Sequence, residues 1–313
     1  MYDPFEPGSY KVATRAVEAA DAARNRLFPC DIWLPDDSDS RALFPLVVFS
    51  HSSGGDRKSA TFLCAHLASH GYVVAAMDHS ERVAAELAPA TDETAGQREA
   101  RVDAMIASRV PDVRFLIDHV LGADLNVDPD LIGLAGHSFG GWTVLAVPEA
   151  DNRVGSVVAM GPGGSSHPRP GILPLSLTFE WDRDVPVLYL AAEDDVPIPL
   201  DGVRELFDRT PGRSQMFVLR RADHQHFLDD VEGEHEAFRT MTLPDEAAWI
   251  QAAMRPMSEL CPGSQAHDFV SGLTLAHLDA TLRGSDAAAR FLAAGADSAL
   301  AARGVDAAEH AGC

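Results

Sequence analysis

Positive charge is scarce in this chain. Lys and Arg total 25 against 47 Asp and Glu, a formal net charge of −22 with a pI near 4.8. A surface of that sign repels phosphate backbones and anionic headgroups, which argues against nucleic acid and membranes as partners. No apolar run reaches the roughly 20 residues that a membrane span requires. The opening stretch MYDPFEPGSYKV lacks the basic-then-apolar pattern of a secretory leader. Cysteine is also sparse. Cys30, Cys64, Cys261 and Cys313 are scattered, with no CxxC and no framework spacing. They are read as reduced thiols of a cytoplasmic protein, with Cys313 on a loose tail. There is no internal repeat and no low-complexity linker.

What is present is an alternation. Apolar, β-rich runs occur at 27–35, 45–51, 71–79, 131–138, 154–161, 185–192 and 215–222, and helix-like stretches lie near 58–70, 97–121, 139–149 and 200–209. Near-continuous apolar strands separated by helices indicate a parallel sheet covered on both faces. The 313 residues are read as a single α/β domain, 1–313. Three segments stand apart from the alternation. Residues 162–184 are rich in Gly and Pro and read as a long loop with at most one helical turn. Residues 231–265 read as a cap-like insertion, in which Trp249, Met254, Met257 and Leu260 suit one apolar helix face. After a helix over 267–282, residues 284–313 form an Ala-rich helical tail.

The segment Gly136-His-Ser-Phe-Gly140-Gly141 fits G-x-S-x-G. Five-residue motifs arise by chance, so context decides. Here the motif ends the apolar strand LIGLAG and opens the apolar helix WTVLAV. A sharp strand-to-helix turn strains the serine backbone, and the glycines prevent clashes within it. Ser138 then projects at a helix N-terminus, where backbone N–H groups favour an anion. A serine hydroxyl needs a base to take its proton. Where this elbow occurs, the partners follow in the order Ser, acid, His. Arg221-Ala-Asp-His-Gln-His-Phe227 offers His224, the first histidine to clear its strand, and His226, which precedes an anchoring Phe227. His224 is preferred as base and His226 is the alternative. An H-x-H metal site helped by Asp229 or His235 lacks the further ligands of a closed zinc site. The acid that orients the imidazole follows the penultimate strand, at Asp194 or Asp195. Two backbone donors for an oxyanion are expected from Phe139, directly after the nucleophile, and from Ser53 in the loop VVFSHSSGGDRKS.

With these residues in view, the chain resembles α/β-hydrolases, and more closely the platelet-activating-factor acetylhydrolase and dienelactone-hydrolase-like branch of serine esterases. The resemblance covers roughly residues 26–230 and rests on VVFSHSSGG, LASHGYVVAAMDHSE, RVPDVRFLIDHV, GHSFGGWTV and ADHQHFLD. It implies a mostly parallel central sheet of about eight strands with helices on both faces. It also implies ester hydrolysis through an acyl-enzyme, with no metal and no organic cofactor. Three features depart from the family pattern. Ser52 fills a place where glycine is usual. The stretch VVAMGPGG carries no carboxylate where the acetylhydrolases have their acid, which moves the acid one strand later. The insertion 231–265 is not shared. Family loops commonly read Gly-x-x-Asp with a Pro four residues on, so Ala192, Asp195 and Pro199 favour Asp195 over Asp194.

The expected function is therefore a serine hydrolase cleaving carboxylic esters through Ser138, His224 and Asp195. Its substrate is a small-molecule acyl or aryl ester or lactone of small to medium size. Alternatives with the same triad are a thioesterase, an amidase, an acyltransferase or a polyester- or phthalate-type esterase. A catalytically silent binding protein on the same fold is the non-enzyme alternative. Ser52, His137, Trp142 and His226 are candidate pocket residues. His51 and His137 are otherwise read as packed, hydrogen-bonded supports, Asp78 and His79 as scaffold, Trp142 as packing behind the nucleophile helix, and Arg109 with Asp112 as a helix-start ion pair.

Overall fold

The computed structural model describes residues 2–36 and 42–310; Cys313 lies outside them. In chain order the elements are β1 (Lys11–Asp21), β2 (Arg26–Asp36), β3 (Phe44–Ser50), α1 (Thr61–Ser69), β4 (Val73–Met77), α2 (Ser80–Val83), α3 (Ala95–Leu121), β5 (Val127–His137) and α4 (Phe139–Ala150). They continue with β6 (Val154–Met160), β7 (Val187–Ala192), α5 (Leu200–Arg209), β8 (Ser214–Leu219), α6 (Val231–Thr240), α7 (Trp249–Ala253), α8 (Gly263–Thr281), α9 (Asp286–Ala294), α10 (Ala296–Ala302) and β9 (Ala307–Glu309). The described residues form one nine-stranded sheet, ordered β1-β2-β4-β3-β5-β6-β7-β8-β9. Strands β3 to β8 run parallel, while β1, β2 and β9 join antiparallel.

The central strands are apolar throughout because both faces are covered. In β3, Leu46 and Val48 belong to the core layer shared with α3 and α4, while Val47 and Phe49 belong to the layer on the other face, with α1 and α8. In β7, Val187, Tyr189 and Ala191 face the first layer, and Leu188, Leu190 and Ala192 the second. Successive side chains point to opposite faces, so a doubly covered strand needs an apolar residue at every position.

Two sequence expectations change here, at the tail and in the insertion. The sheet matches the expected size of about eight strands, with nine among the described residues. The edge strand β1 is mostly exposed along its length, so its alternation carries little apolar signal. The Ala-rich tail is helical over α9 and α10, but it ends in β9, which pairs with Phe217 to Leu219 of β8. Residues 249–260 do not form one amphipathic helix. Helix α7 spans only Trp249–Ala253, Met254 is extended and Pro256 precedes a single 3-10 turn. Proline disfavours the helical region for its predecessor and removes an N–H donor, which breaks the pattern. Residues 162–184 contain no helix.

Candidate active site

Strand register assembles the site at the carboxyl ends of the parallel strands, where β3 lies between β4 and β5 and the chain direction switches. Ser50 pairs with Gly136, and His137 with Met160, so the loop after β3 lies beside the turn after β5. Ala192 pairs with Leu219. The loops after β7 and β8 are further joined by Asp194 N–H donating to the Ala222 carbonyl at 2.8 Å.

The turn at Ser138 is strained. Its φ is 59° and ψ −114°, a left-handed conformation that costs a residue with a Cβ about 1–3 kcal/mol. Two glycines make the turn sterically feasible. A Cβ on Gly136 would strike the Gly140 carbonyl, and one on Gly140 would strike the Ser50 carbonyl. The strained backbone is held by Ser138 N–H to the Met160 carbonyl at 2.9 Å, and by Trp142 N–H to the Ser138 carbonyl at 3.0 Å. Ser138 remains half-buried, and Phe139 opens α4 with an N–H that has no partner within the helix.

His224 and Asp195 meet across the β7 and β8 loops. His224 Nδ1 is 2.7 Å from Asp195 Oδ2, and the other oxygen, Oδ1, accepts the Ile198 N–H at 2.8 Å. Burial pushes the Asp195 carboxyl above its ordinary range, with His224 and the Ile198 N–H pulling the other way. Burial alone would depress His224. The adjacent carboxylate outweighs it, so the imidazole is raised above 6.5. Asp194 points elsewhere and is paired with Arg255 at 3.2 Å. A Cβ on Gly161, at the end of β6, would lie 3.3 Å from Asp195 Oδ2 and 3.6 Å from His224 Nδ1. The backbone there is close against the pair.

Asp223, within the same loop, builds a second cluster. Its Oδ1 is 2.8 Å from His226 Nδ1 and its Oδ2 is 2.6 Å from His235 Nδ1 in α6. His226 Nε2 is 3.1 Å from the Cys261 carbonyl. Burial opposes the charge on His226, but the Asp223 and Cys261 contacts prevail and raise it to about 10. His226 is consequently a structural clasp between the loop and the 231–265 segment. It does not line the cavity, a correction to its candidate pocket role. The same holds for Trp142, whose ring stacks on Phe139 and whose Nε1 donates to the Ser176 carbonyl at 2.7 Å.

Ser52, Ser53, Ser138, Phe139, His137 and His224 line one cavity of about 760 Å³. His137 is fully buried, with its ring 4.6 Å from that of His224. Burial holds its pKa well below 6.5, so it is neutral. His51 is hydrogen-bonded: its Nε2 accepts from His79 N–H at 3.2 Å and its Nδ1 donates to the Ser52 carbonyl at 2.7 Å.

Arg109 has a role that differs from the expected helix-start ion pair. It lies mid-way along α3 rather than at a helix start, is completely buried, and pairs with Glu81 instead of Asp112. Its guanidinium donates to the His51 carbonyl at 2.7 Å and the Ser52 carbonyl at 3.3 Å, and sits 4.0 Å over the Phe139 ring. One cation thus braces both the β3 loop and the first residue of α4. Asp112 instead accepts from Ser80 N–H at 2.7 Å, lies 3.3 Å from His79 Nδ1 and pairs with Arg24. The signal for Arg109 was its place among Met105, Val113 and Leu116, at helical spacings of four and seven residues on the apolar face of α3. A charge on a buried stripe requires partners. Among the described residues no group of three or more His, Cys, Asp or Glu side chains is arranged to hold a metal, and no helix is long and apolar enough to cross a membrane. Cys30, Cys64 and Cys261 are buried free thiols.

A doubly covered parallel sheet with a strained serine turn after β5, a carboxylate loop after β7 and a histidine loop after β8 is the α/β-hydrolase fold. The comparisons with known proteins agree. A family model described as platelet-activating factor acetylhydrolase, isoform II, matches residues 36–121, from the end of β2 through α3. The platelet-activating factor acetylhydrolase of Canis lupus familiaris is 26% identical over 223 residues, covering 59% of this chain and 48% of that protein. The Bos taurus protein of the same name is 29% identical over 227 residues, with the same coverages. The chain spans about half the length of these relatives. A solved structure of a ferulic acid esterase from Streptomyces cinnamoneus superposes with a TM-score of 0.64 at 23% identity, covering 88% of this chain and 91% of the other. That likeness is one of fold.

Proposed function

We propose that the protein is a serine hydrolase of carboxylic esters, acting on a small to medium acyl or aryl ester or lactone. The observation that carries this reading is the 2.7 Å contact of His224 Nδ1 with Asp195 on the same cavity as the strained Ser138. The similarity to acetylhydrolases and the esterase-like fold support it.

Ser138 Oγ attacks the ester carbonyl carbon while His224 Nε2, the ring nitrogen left over from Asp195, takes the hydroxyl proton. Asp195 holds the ring and stabilises the imidazolium. The carbonyl electrons move onto oxygen, which accepts hydrogen bonds from the Phe139 and Ser53 N–H groups. Arg109 keeps those two donors in place through Phe139 and the Ser52 carbonyl. Collapse of the intermediate expels the alcohol, which receives the proton from His224. A water deprotonated by His224 then attacks the acyl-enzyme, releasing the acid and restoring Ser138.

Ser138→Ala tests the reading. Turnover of p-nitrophenyl esters is expected to fall by about 10⁴-fold or more with the fold intact by circular dichroism, and a fluorophosphonate probe should label the wild type only. Equal turnover in the variant would exclude the mechanism.

A further inference from the structure

We infer that the site is built for a neutral ester carrying a bulky apolar chain, and that residues of the 231–265 segment select that chain. The inference rests on the reading of Ser138 as nucleophile and narrows its substrate.

The cavity is far larger than a minimal ester requires. Its volume of about 760 Å³ equals the share of some 25 waters and falls in the range of pockets that enclose drug-sized ligands. An acetyl ester would leave most of it hydrated. Much of its apolar wall comes from the two segments outside the alternating scaffold. Leu173 and Leu175 belong to the 162–184 loop, while Phe238, Met241, Leu243 and Ile250 belong to the insertion.

Those segments are anchored together. Trp249 Nε1 donates to the Pro170 carbonyl at 3.1 Å, and the Arg169 guanidinium lies 5.2 Å over the Trp249 ring. Arg98 of α3 pairs with Glu246, and Arg255 with Asp194. The apolar wall is therefore held in position over the site.

Met241 supplies an independent indication. Among the described residues only Leu27, Leu43 and Met241 are large hydrophobics left exposed, and Met241 is 49% exposed. Of these three, Met241 alone lines the cavity. Apolar surface kept open beside a reactive serine has a use if a ligand covers it. Charge sets the second preference. Asp56, Asp229, Asp230, Glu234 and Glu246 line the cavity against Lys58 and Arg98, an excess of acid that repels an anionic chain end.

Two ester series test this on the full chain. One varies the acyl group of p-nitrophenyl esters from acetate to decanoate. The other varies the alcohol of acetate esters from methyl to octyl. Burying a methylene favours binding by about three- to fourfold, so kcat/KM should climb at least tenfold from the shortest to the eight-carbon member of one series. That series tells whether the chain is carried on the acyl or the alcohol side. Met241→Glu should lower the long-to-short ratio about tenfold, whereas Leu27→Glu, equally exposed but on β2, should not. A p-nitrophenyl monoester of adipic acid should be turned over at least tenfold less well than the hexanoate. Turnover that is flat or falls with length in both series overturns the inference while the esterase reading stands, and so does a Leu27→Glu effect equal to that of Met241→Glu. Equal turnover of adipate and hexanoate overturns the preference for a neutral chain. Absence of turnover in both series together with absence of fluorophosphonate labelling overturns the esterase reading and this inference with it.

Discussion

His224 and His226 lie on one short turn, each in contact with an aspartate, Asp195 from the β7 loop and Asp223 from the turn itself, and the two contacts differ. Both are buried, with Nδ1 to carboxylate distances of 2.7 and 2.8 Å. The difference is in what remains open. His226 has its second nitrogen on the Cys261 carbonyl, and Asp223 has its second oxygen on His235. Both ring nitrogens of His226 and both oxygens of Asp223 are engaged, and the cluster clasps the 231–265 segment to the β8 loop. His224 lines the cavity beside Ser138 and spends only Nδ1 on its carboxylate. A proton-transfer group differs from a structural one by an uncommitted nitrogen at a surface a substrate can reach.

The contrast predicts a large asymmetry. Asp195→Asn should reduce kcat by about 10³- to 10⁴-fold with little change in stability, while Asp194→Asn, which loses only the half-exposed Arg255 pair, should stay within a fewfold. Steady-state kinetics of the two variants decide it, and a reversed result would make Asp194 the working carboxylate. Asp223→Asn should do the opposite of Asp195→Asn. It leaves His226 and His235 buried beside a weakened partner, which should cost about 3 kcal/mol of stability by denaturant unfolding, with a much smaller loss of kcat.

The same contrast appears in pH dependence. His224 must be neutral to act as base, and its pKa is raised. The kcat/KM profile should therefore rise with pH through a midpoint above 6.5, and Asp195→Asn should move that midpoint down. His226 is raised to about 10. Its charged form contributes stability that is fully present below about 6.5, the unfolded value, and lost as pH climbs through about 10. Unfolding measured at pH 6 and pH 10.5 should show that loss in the wild type and a smaller one in His226→Gln. The smallest effect concerns backbone strain. Ser138→Gly removes the positive-φ penalty and should raise stability by about 1 kcal/mol while abolishing turnover; a drop in stability would mean that the serine side chain contributes more than its strain costs.

Much of the scaffold was legible. The seven apolar runs became β2 to β8, because doubly covered strands cannot hide polar residues. Edge strands were not legible. Lys11–Asp21 buries only Ala19 and Asp21, and Ala307–Glu309 is three residues of an Ala-rich tail. Arg109 was misassigned because its nearest acid in sequence, Asp112, is not its partner in space. Glu81, 28 positions away, is. The pocket was misjudged at Trp142 and His226, since both lie near the site in sequence but turn their polar atoms to Ser176, Asp223 and Cys261.

The turn at Ser138 was announced locally by five consecutive residues. Gly136 admits the Gly140 carbonyl within the same motif, while Gly140 admits the Ser50 carbonyl, which strand pairing brings alongside. Between Asp194 and Asp195, the resemblance to family loops through Ala192, Asp195 and Pro199 favoured Asp195, but the physical reason lies in the tertiary structure. Adjacent residues at a strand end point in different directions, and only strand register and the distant Arg255 determine which carboxylate is buried against His224 and which is held at the surface.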